Sequence, residues 1–345
     1  MFDFGDGAAL AALVGLLGGM VLGLAARIGR FCTLGAIEDA LYSSDTRRLR
    51  MWGLAIGVAV IATHAAISAG WLDPSQTFYV ARQWSLPGTV LGGLIFGYGM
   101  ALSGNCGYGA LARLGGGDLR SLVIVVVMGL TAYITISGPL ALARVAVFPD
   151  LPAAAPQALS QITGAPLLTG LVVGGLLILV ALSGGGMMRS PRHVVWGGVV
   201  GLAVTSAWIG TQVAATRSFG AIMVEGHSFA RPLGESLLWL MTASAAAPGF
   251  AVGSVTGVLL GAFLGSLSKG HFRWEACEDP RELKRQILGA ALMGPGAVLA
   301  AGCSVGQGLS AFSLLTFSAP VALLSIFAGA AIGLRQLIVG FAPAE

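Results

Sequence analysis

Long apolar stretches, separated by short polar segments, recur along the whole chain. Nine of these stretches approach the roughly 20 residues that cross a bilayer as a helix. They are residues 8–26, 51–70, 87–103, 121–142, 166–183, 194–214, 249–267, 287–301 and 317–334. The pattern predicts an all-α, polytopic membrane protein with about nine transmembrane helices in a single membrane domain, 1–345. A further apolar stretch, 236–247, has the shorter length of a re-entrant or interfacial segment.

The composition narrows the class of protein further. Hydrophobic residues make up 56% of the chain and charged residues 10%, whereas soluble domains carry about 25% charged residues. This balance excludes a soluble domain and a disordered chain, and the 53 glycines suit close packing of membrane helices. The net charge of +4 is explained by membrane topology, so no nucleic-acid partner is expected.

Positive charges are distributed unevenly between the two sides that alternating spans create. Of the 19 Lys and Arg residues, 15 fall on one side, and Arg82, Arg144, Arg217 and Arg231 fall on the other. Because cytoplasmic loops carry the excess of positive charge, the richer side is predicted to be cytoplasmic. The N-terminus is then periplasmic and the C-terminus cytoplasmic, with lipid around the helices.

Two distant segments resemble each other at a constant offset of 197 residues. Residues 86–111 align without a gap with residues 283–308. Identical pairs include Leu86/Leu283, Leu91/Leu288, Gly92/Gly289, Gly97/Gly294, Gly99/Gly296, Cys106/Cys303 and Gly109/Gly306. Under the predicted topology the two copies cross the membrane in opposite directions. This is the inverted repeat typical of transporters whose site lies at the midplane.

Three cysteines lie in short glycine-containing segments, each just after an apolar span. The segments are GRFCTLG around Cys32, GNCGYG around Cys106 and AGCSVGQG around Cys303. Glycines such as Gly104, Gly107 and Gly302 interrupt helices, which inside a membrane is tolerated only where the backbone lines a cavity or is buried in protein. We therefore expect three re-entrant half-helices, each with a thiol near its start. Half-helix N-termini attract anions, and a thiol suits a soft terminal sulfur.

Other interpretations of the cysteines remain open. A buried cysteine can act as a small hydrophobic residue, a soft metal can bind thiolates, and two thiols can form a disulfide relay. The four histidines are scattered and no CxxC pair occurs, so neither a metal nor another cofactor is predicted. The fourth cysteine, Cys277, is predicted to be an ordinary thiol in the charged cytoplasmic loop 269–285. That loop is either a solvated segment or a docking surface for a partner protein.

Several polar residues lie near the expected site. Asn105 and Gln307 are each close to one of these cysteines, where they either donate hydrogen bonds to the oxygens of an anion or cap a turn. Arg30 and Glu38 are candidates for gating or for supporting the half-helix after Cys32. In this region, Arg27 and Arg30 either pair with Glu38 and Asp39 or provide a positive exit for an anion.

The segments GRFCTLGAIEDAL, GYGMALSGNCGYGALARLGGGDLRSL and GAVLAAGCSVGQGLSAFS resemble the signatures of the YeeE/YedE-type inner-membrane family. The resemblance extends over nearly the whole chain, including the cytoplasmic FRWE at 272–275. It implies an hourglass-like helical fold, with half-helices entering from both faces. It also implies uptake of thiosulfate as a sulfur source, with Cys32, Cys106 and Cys303 as the pore cysteines; Cys277 matches no family motif.

The resemblance also bears on partners and alternatives. Family members often work beside a small soluble sulfur carrier of the sulfurtransferase-like type, and no such domain is expected to be fused here. We expect a transporter, not an enzyme, with thiosulfate passing Cys106, then a constriction, then the other thiols. The alternatives are a membrane thiol sulfurtransferase that passes sulfane sulfur to a carrier, and a transporter for another soft sulfur or selenium species.

Overall fold

A computed structural model describes residues 6–149, 151–184, 186–276 and 279–340. Within these ranges the chain is helical, and extended pairing is limited to isolated bridges. The helices are α1 (Asp6–Arg27), α2 (Thr33–Tyr42), α3 (Arg47–Ser68), α4 (Phe78–Ala81), α5 (Leu86–Ser103), α6 (Gly107–Gly115), α7 (Arg120–Ile136), α8 (Pro139–Val147), α9 (Leu159–Thr163), α10 (Pro166–Leu182), α11 (Pro191–Arg217), α12 (Arg231–Thr242), α13 (Phe250–Ser268), α14 (Pro280–Leu299) and α15 (Ser318–Val339). A half-helix over 304–313, π-helical at Gly306–Ala311, precedes α15.

The apolar helices confirm a polytopic membrane protein. Six helices of the described chain are long and apolar enough to cross a membrane, with α5 and α6 taken together as one of them, and the bent pair α7 and α8 makes a seventh. The other two predicted spans also fall on helices, but α10 has only 17 residues and α14 begins in a charged segment. The number nine therefore stays a prediction.

Two predicted spans differ from the helices in detail. The stretch 121–142 is not one straight helix, because α7 ends at Ile136 and α8 begins at Pro139, with a bend of 57° between them. Proline has no N–H to continue the hydrogen-bond ladder, and it disfavours helical geometry in the residue before it. The stretch 287–301 lies in a longer helix, since Asp279 caps α14 and Pro280 occupies its first turn.

Helices α5 and α14 pack against each other in antiparallel directions. A Cβ on Gly92 would lie 2.6 Å from the Gly296 carbonyl oxygen, and a Cβ on Gly99 would lie 2.6 Å from the Gly289 oxygen. Only glycine allows two helix backbones to approach this closely. The pairing is also reciprocal: in the alignment at offset 197, Gly92 matches Gly289 and Gly99 matches Gly296.

The surrounding helices hold this central pair in place. Helix α5 also packs along α15, where Gly97 meets Ile326, and α14 packs along α7, where Gly294 meets Thr131. Helix α1 runs beside α13, and α3 lies against both α10 and α11. The short helices α2, α6 and 304–313 begin inside this frame, and the residues at their starts are largely buried.

Candidate functional site

Each of the three predicted pore cysteines begins a short helix. Cys32 is the N-cap of α2 and Cys106 is the N-cap of α6, both with extended backbone. Each thiol accepts a hydrogen bond from the backbone N–H three residues later, at 3.5 Å in both cases. Cys303 accepts the equivalent bond at 3.4 Å from the first residue of the π-helical turn. The thiols thus occupy the position where Ser or Asp ordinarily caps a helix.

A left-handed residue precedes each cysteine by two positions. Arg30, Gly104 and Ala301 have φ angles of 59°, 74° and 56°. Glycine adopts this conformation freely, whereas Arg and Ala adopt it at a cost in free energy. The same turn therefore reverses the chain into each half-helix, even where the residue is not glycine.

A repeated sequence signal marks these caps, and the sequence reasoning above missed it. The N–H donors three residues after the cysteines belong to Gly35, Gly109 and Gly306, so that each segment reads Cys-x-x-Gly. The spacing of three is that of an N-cap side chain and the N–H of the third helical residue. The pattern could have indicated thiol-capped half-helices without a structure.

The starts of the three half-helices lie together in the core. The Thr33 hydroxyl donates to Ser304 Oγ at 3.1 Å, which joins the first half-helix to the third. The Ser304 side chain also interacts with the Cys106 thiol, which belongs to the second. The thiols of Cys32 and Cys303 lie within electrostatic range of Cys106. The three half-helices thus meet at their starts, around Ser304.

Aromatic rings close the packing around this point. Phe31, next to Cys32, stacks on Trp52 with ring centroids 4.6 Å apart and meets Tyr108 edge-on at 6.5 Å. Tyr108 in turn packs against Phe229 at 5.4 Å, and its hydroxyl donates to the Leu22 carbonyl oxygen at 2.6 Å. These rings are buried and packed against one another. A solute could therefore pass between them only if the rings or the half-helices moved.

Cys303 is the most fully bonded of the three thiols. Besides its own helix, it accepts a hydrogen bond from the backbone N–H of Phe229 at 3.2 Å and contacts the Ser228 hydroxyl at 3.7 Å. Both residues lie in the segment between α11 and α12, far away in sequence. Nothing in the local sequence pattern indicates that this segment reaches the third half-helix.

The two predicted amide neighbours have opposite surroundings. Asn105 is 1% exposed, and neither its amide nitrogen nor its oxygen has a hydrogen-bond partner among the described residues. Gln307 is equally buried, but its nitrogen donates to the Ala300 carbonyl oxygen at 2.8 Å and its oxygen accepts from Ser318 at 3.3 Å. Asn105 is therefore available to a ligand, whereas Gln307 braces the turn before Cys303.

The three predicted glycines pack in different ways. Gly104 provides one of the left-handed turns, and Gly107 lies so close to Phe229 that a Cβ would come within 2.7 Å of its carbonyl oxygen. A Cβ on Gly302 would come within 3.0 Å of Gln307 Cγ and 3.3 Å of the Tyr79 hydroxyl. Gly107 and Gly302 thus allow the close approach of the segments that surround the thiols.

Arg30 and Glu38 both lie at the surface. The pairing of Arg27 and Arg30 with Glu38 and Asp39 is not observed: Asp39 pairs with Arg48 at 3.1 Å, and Glu38 takes part in none of the ion pairs of the described chain. Arg27 instead donates to Ser266 Oγ at 2.7 Å.

A basic cavity of about 300 Å³ lies at this end of the molecule. Its lining residues are Ala26, Arg27, Arg30, Gly265, Ser266, Lys269 and His271. Arg113, whose charge acts on Arg27, donates to the Gly104 carbonyl oxygen at 3.3 Å. Positive groups therefore extend from the residue preceding Asn105 to the surface.

Metal-ligating side chains do not gather at the site. Across the ranges that the structure describes, no group of three His, Cys, Asp or Glu side chains is arranged to hold a metal ion. Cys32, Cys106 and Cys303 are free thiols. Cys277, predicted to be a surface thiol, lies outside the described residues.

Comparisons with known proteins identify the family of this chain. A family model described as "Sulphur transport" matches residues 28–332, which include all three half-helices. A relative from Escherichia coli strain K12, named thiosulfate transporter TsuA, is 26% identical, with 92% of each chain covered. A relative of the same name from Spirochaeta thermophila is 27% identical, covering 91% of this chain and 94% of its own length. The chain belongs to the sulphur transport family, of the YeeE/YedE type.

Proposed function

We propose that this chain takes up thiosulfate across the bacterial inner membrane, through a site centred on Asn105 and Cys106. The observation that carries the proposal is the buried, unpartnered amide of Asn105 beside a buried thiol. A buried polar group without a partner costs about 1–3 kcal/mol, and a bound ligand can recover this free energy. The names of the two relatives support thiosulfate as that ligand.

The chemistry of the site suits this dianion. Thiosulfate has three oxygens that accept hydrogen bonds and a terminal sulfur that is large and polarisable. The Asn105 amide nitrogen can donate to an oxygen, while the thiols offer weak donors to the sulfur. The starts of three half-helices add the positive ends of their backbone dipoles without a full charge. A site of this kind binds an anion weakly enough to release it.

The reciprocal packing of α5 and α14 supports an inverted repeat of residues 86–111 and 283–308. Gly92 meets Gly296 and Gly99 meets Gly289, which is the pattern of a twofold axis between two matched helices. The left-handed residues Gly104 and Ala301 also match at the same offset. In this arrangement the thiols lie near the midplane, with the N-terminus periplasmic and the C-terminus cytoplasmic as the charge bias predicts.

Transport then proceeds by transfer between thiols. The dianion passes Cys106, then the constriction of aromatic rings, then the remaining thiols, and each site donates weak hydrogen bonds in turn. Stepwise sites reduce the cost of desolvation, which for an isolated ion in an apolar medium is of order 20 kcal/mol. The basic cavity that includes Arg27 and Lys269 is the cytoplasmic exit.

In the cytoplasm the imported sulfur serves assimilation into sulfur-containing metabolites. The loop 269–285 is the candidate docking surface for a small sulfurtransferase-like carrier. Its Trp274 is 71% exposed and packs edge-on against Phe272 at 5.2 Å, so an aromatic pair is available to a partner at the mouth of the exit. Exposed aromatic side chains of this kind anchor many protein interfaces.

The decisive experiment is uptake of radiolabelled thiosulfate by cells that lack every other thiosulfate importer. Wild-type protein and the Cys106→Ala variant are compared at equal amounts in the membrane. Uptake by the wild type and its loss in the variant would support both the substrate and the thiol pathway. Equal uptake by both would remove Cys106 from the pathway, and no uptake by either would contradict thiosulfate as the substrate.

A covalent mechanism predicts a different result. A sulfurtransferase would leave a persulfide on Cys106 or Cys303, visible as added mass in the intact protein after exposure to thiosulfate. The Cys106→Ser variant makes the same distinction by transport, since a hydroxyl donates a hydrogen bond but forms no persulfide. Residual uptake in the Ser variant with none in the Ala variant would exclude the covalent route. Competition by selenite would indicate a wider substrate range.

A further inference from the structure

An ion-pair cluster lies in the segment of the predicted periplasmic side that leads into α12, whereas the residues of the basic cavity belong to the predicted cytoplasmic side. Arg231, in the first turn of α12, is bonded to Glu235 at 2.6 Å and lies 3.7 Å from Glu225 in the preceding segment. Its side chain is 41% exposed, against 27% for Glu235 and 23% for Glu225. Arg231 is one of only four basic residues on the predicted periplasmic side. The positive-inside rule explains basic residues on the cytoplasmic side, but it does not explain Arg231.

The cluster is connected to the third pore cysteine in two ways. The segment that carries Glu225 continues through Ser228 and Phe229, which contact the Cys303 thiol, before it reaches Arg231. In addition, Tyr79 on α4 lies within electrostatic range of Glu225, Arg231 and Cys303 together. The Tyr79 hydroxyl is also close to Gly302 and Gly306, on either side of that cysteine. The segment that carries the cluster therefore borders two half-helix starts, since Phe229 also packs closely against Gly107, next to Cys106.

The carboxyl of Glu225 is largely buried beside Arg231. Burial raises the pKa of its carboxyl to about 6, partly offset by the neighbouring Arg231 and reinforced by Glu235. The groups that face the cluster are Arg231 and Glu235 on α12, Tyr79 on α4, Tyr133 on α7 and Cys303. Guanidinium and phenol groups ordinarily titrate well above neutral pH, whereas a carboxyl with a raised pKa can titrate near it.

We propose that Arg231 is the outer capture residue for the substrate dianion, and that Glu225 competes with the substrate for its guanidinium. When Glu225 is ionised, two carboxylates surround one cation, so an approaching dianion meets a net negative charge. When Glu225 takes up a proton, one carboxylate remains, and the guanidinium can turn part of its planar donor set toward the anion. This inference rests on the proposed function, and it adds a proton-sensitive first binding site to it.

The direction of the effect on transport follows from the chemistry. Thiosulfate stays a dianion throughout this pH range, so a pH dependence must come from the protein. As the external pH falls from 7.5 through about 6 to 5.5, protonation of Glu225 increases. The KM for external thiosulfate should therefore fall by about 3- to 10-fold, the size of effect common for exposed charge interactions of about 1 kcal/mol.

The test is the pH profile of initial uptake rates in proteoliposomes with a constant internal pH. Glu225→Gln should have, at pH 7.5, the low KM that the wild type has at pH 5.5, and its profile should be flat. Arg231→Gln should raise the KM at every pH and remove the profile. Glu235→Gln is the matched control, because it also contacts Arg231 but should keep the dependence on pH.

Several outcomes would overturn the proposal without touching the proposed function. A wild-type KM that does not change with pH, or a Glu225→Gln variant that keeps the wild-type profile, would each do so. If Arg231→Gln does not accumulate in the membrane, Arg231→Lys keeps the charge and should show an intermediate KM. If Arg231 were only structural, these variants would lower the amount and thermal stability of the protein but leave the KM unchanged. Absence of wild-type uptake at all pH values would instead contradict the proposed function.

Discussion

Cys106 and Cys303 occupy matching positions in the two aligned segments, yet their surroundings are different. Cys106 is bonded to one backbone N–H of its own half-helix and interacts with Ser304, and the amide beside it has no partner. Cys303 is bonded to its own half-helix and also to Phe229 and Ser228 of a distant segment. The amide near Cys303, that of Gln307, has both ends occupied.

The difference indicates a division of labour between two equivalent thiols. The polar groups around Cys106 have hydrogen-bonding capacity left over, which suits a site for a ligand. The groups around Cys303 satisfy one another, and they tie the segment that bears Arg231 to the centre of the molecule. A repeat with the same backbone geometry thus provides a half with free hydrogen-bonding capacity for binding, and a half whose thiol, besides its place in the pathway, fastens a distant segment.

The largest expected effect separates the two cysteines. Cys106→Ala should reduce thiosulfate uptake to below about a tenth of wild type, a loss of more than ~1.4 kcal/mol of binding. The thermal midpoint of the detergent-purified protein should stay within a degree or two, since ΔΔG is small where few hydrogen bonds are lost. Uptake assays and thermal unfolding of the same preparation test both statements.

Cys303→Ala should lower the stability of the folded protein more than Cys106→Ala does. It removes the acceptor of the buried Phe229 N–H, which costs about 1–3 kcal/mol and lowers the thermal midpoint. Cys303→Ser keeps an acceptor at the same place and should restore most of the stability. If Cys106→Ala and Cys303→Ala lowered the midpoint equally, the division between binding and fastening would be wrong.

The next effect concerns the unpartnered amide. Asn105→Leu keeps the branching of the side chain while removing two buried polar atoms without partners, so unfolding should become harder by about 1–3 kcal/mol. The same variant should raise the KM for thiosulfate by about tenfold, because a donor worth ~1.4 kcal/mol is lost. Asn105→Asp provides the contrast, since it keeps the shape but places a negative charge against the anion. A decrease in thermal stability of Asn105→Leu would show that the amide has a structural partner.

The matched experiment on the other half uses Gln307. Gln307→Leu removes the hydrogen bonds to Ala300 and Ser318 and leaves a buried carbonyl oxygen unpaired, at a cost of about 1–3 kcal/mol. The KM for thiosulfate should change little. Thermal unfolding and uptake kinetics of the Asn105 and Gln307 variants, measured side by side, should show opposite signs in stability. A large increase in KM for Gln307→Leu would instead indicate that Gln307 contributes to substrate binding.

The sequence was informative about the helices and the thiol-bearing turns, for physical reasons that are local. Long apolar runs and clusters of glycine carry the signal of spans and of interruptions, and every predicted span falls on a helix. The bend between α7 and α8 was also readable from Gly138-Pro139, although the apolar run obscured it. Helical geometry depends on neighbours in sequence, so these features need no knowledge of the fold.

The division between the two cysteines could not be predicted in the same way. Asn105 and Gln307 look alike in sequence, each a buried amide near a thiol, and only distant partners such as Ser318 distinguish them. The bond from Phe229 to Cys303 joins residues 74 positions apart. Hydrogen bonds between remote segments depend on how helices pack, and no periodicity along the chain records them.

The smallest expected effect tests the link between the half-helices. Thr33→Val removes the hydroxyl that donates to Ser304 at 3.1 Å but keeps the shape of the side chain. A hydrogen bond of this kind contributes about 0.5–1.5 kcal/mol, so a small drop in thermal midpoint is expected.

Because Ser304 also interacts with the Cys106 thiol, its hydroxyl becomes free to turn toward that thiol. If the half-helices act as one unit, Thr33→Val should change the KM measured at Cys106 by about twofold, although Thr33 belongs to another segment. Thr63→Val is the control, since its hydroxyl bonds to Thr205 at 3.1 Å between α3 and α11, away from the thiols. Equal changes in KM for both variants would mean that the contact between Thr33 and Ser304 contributes only to packing.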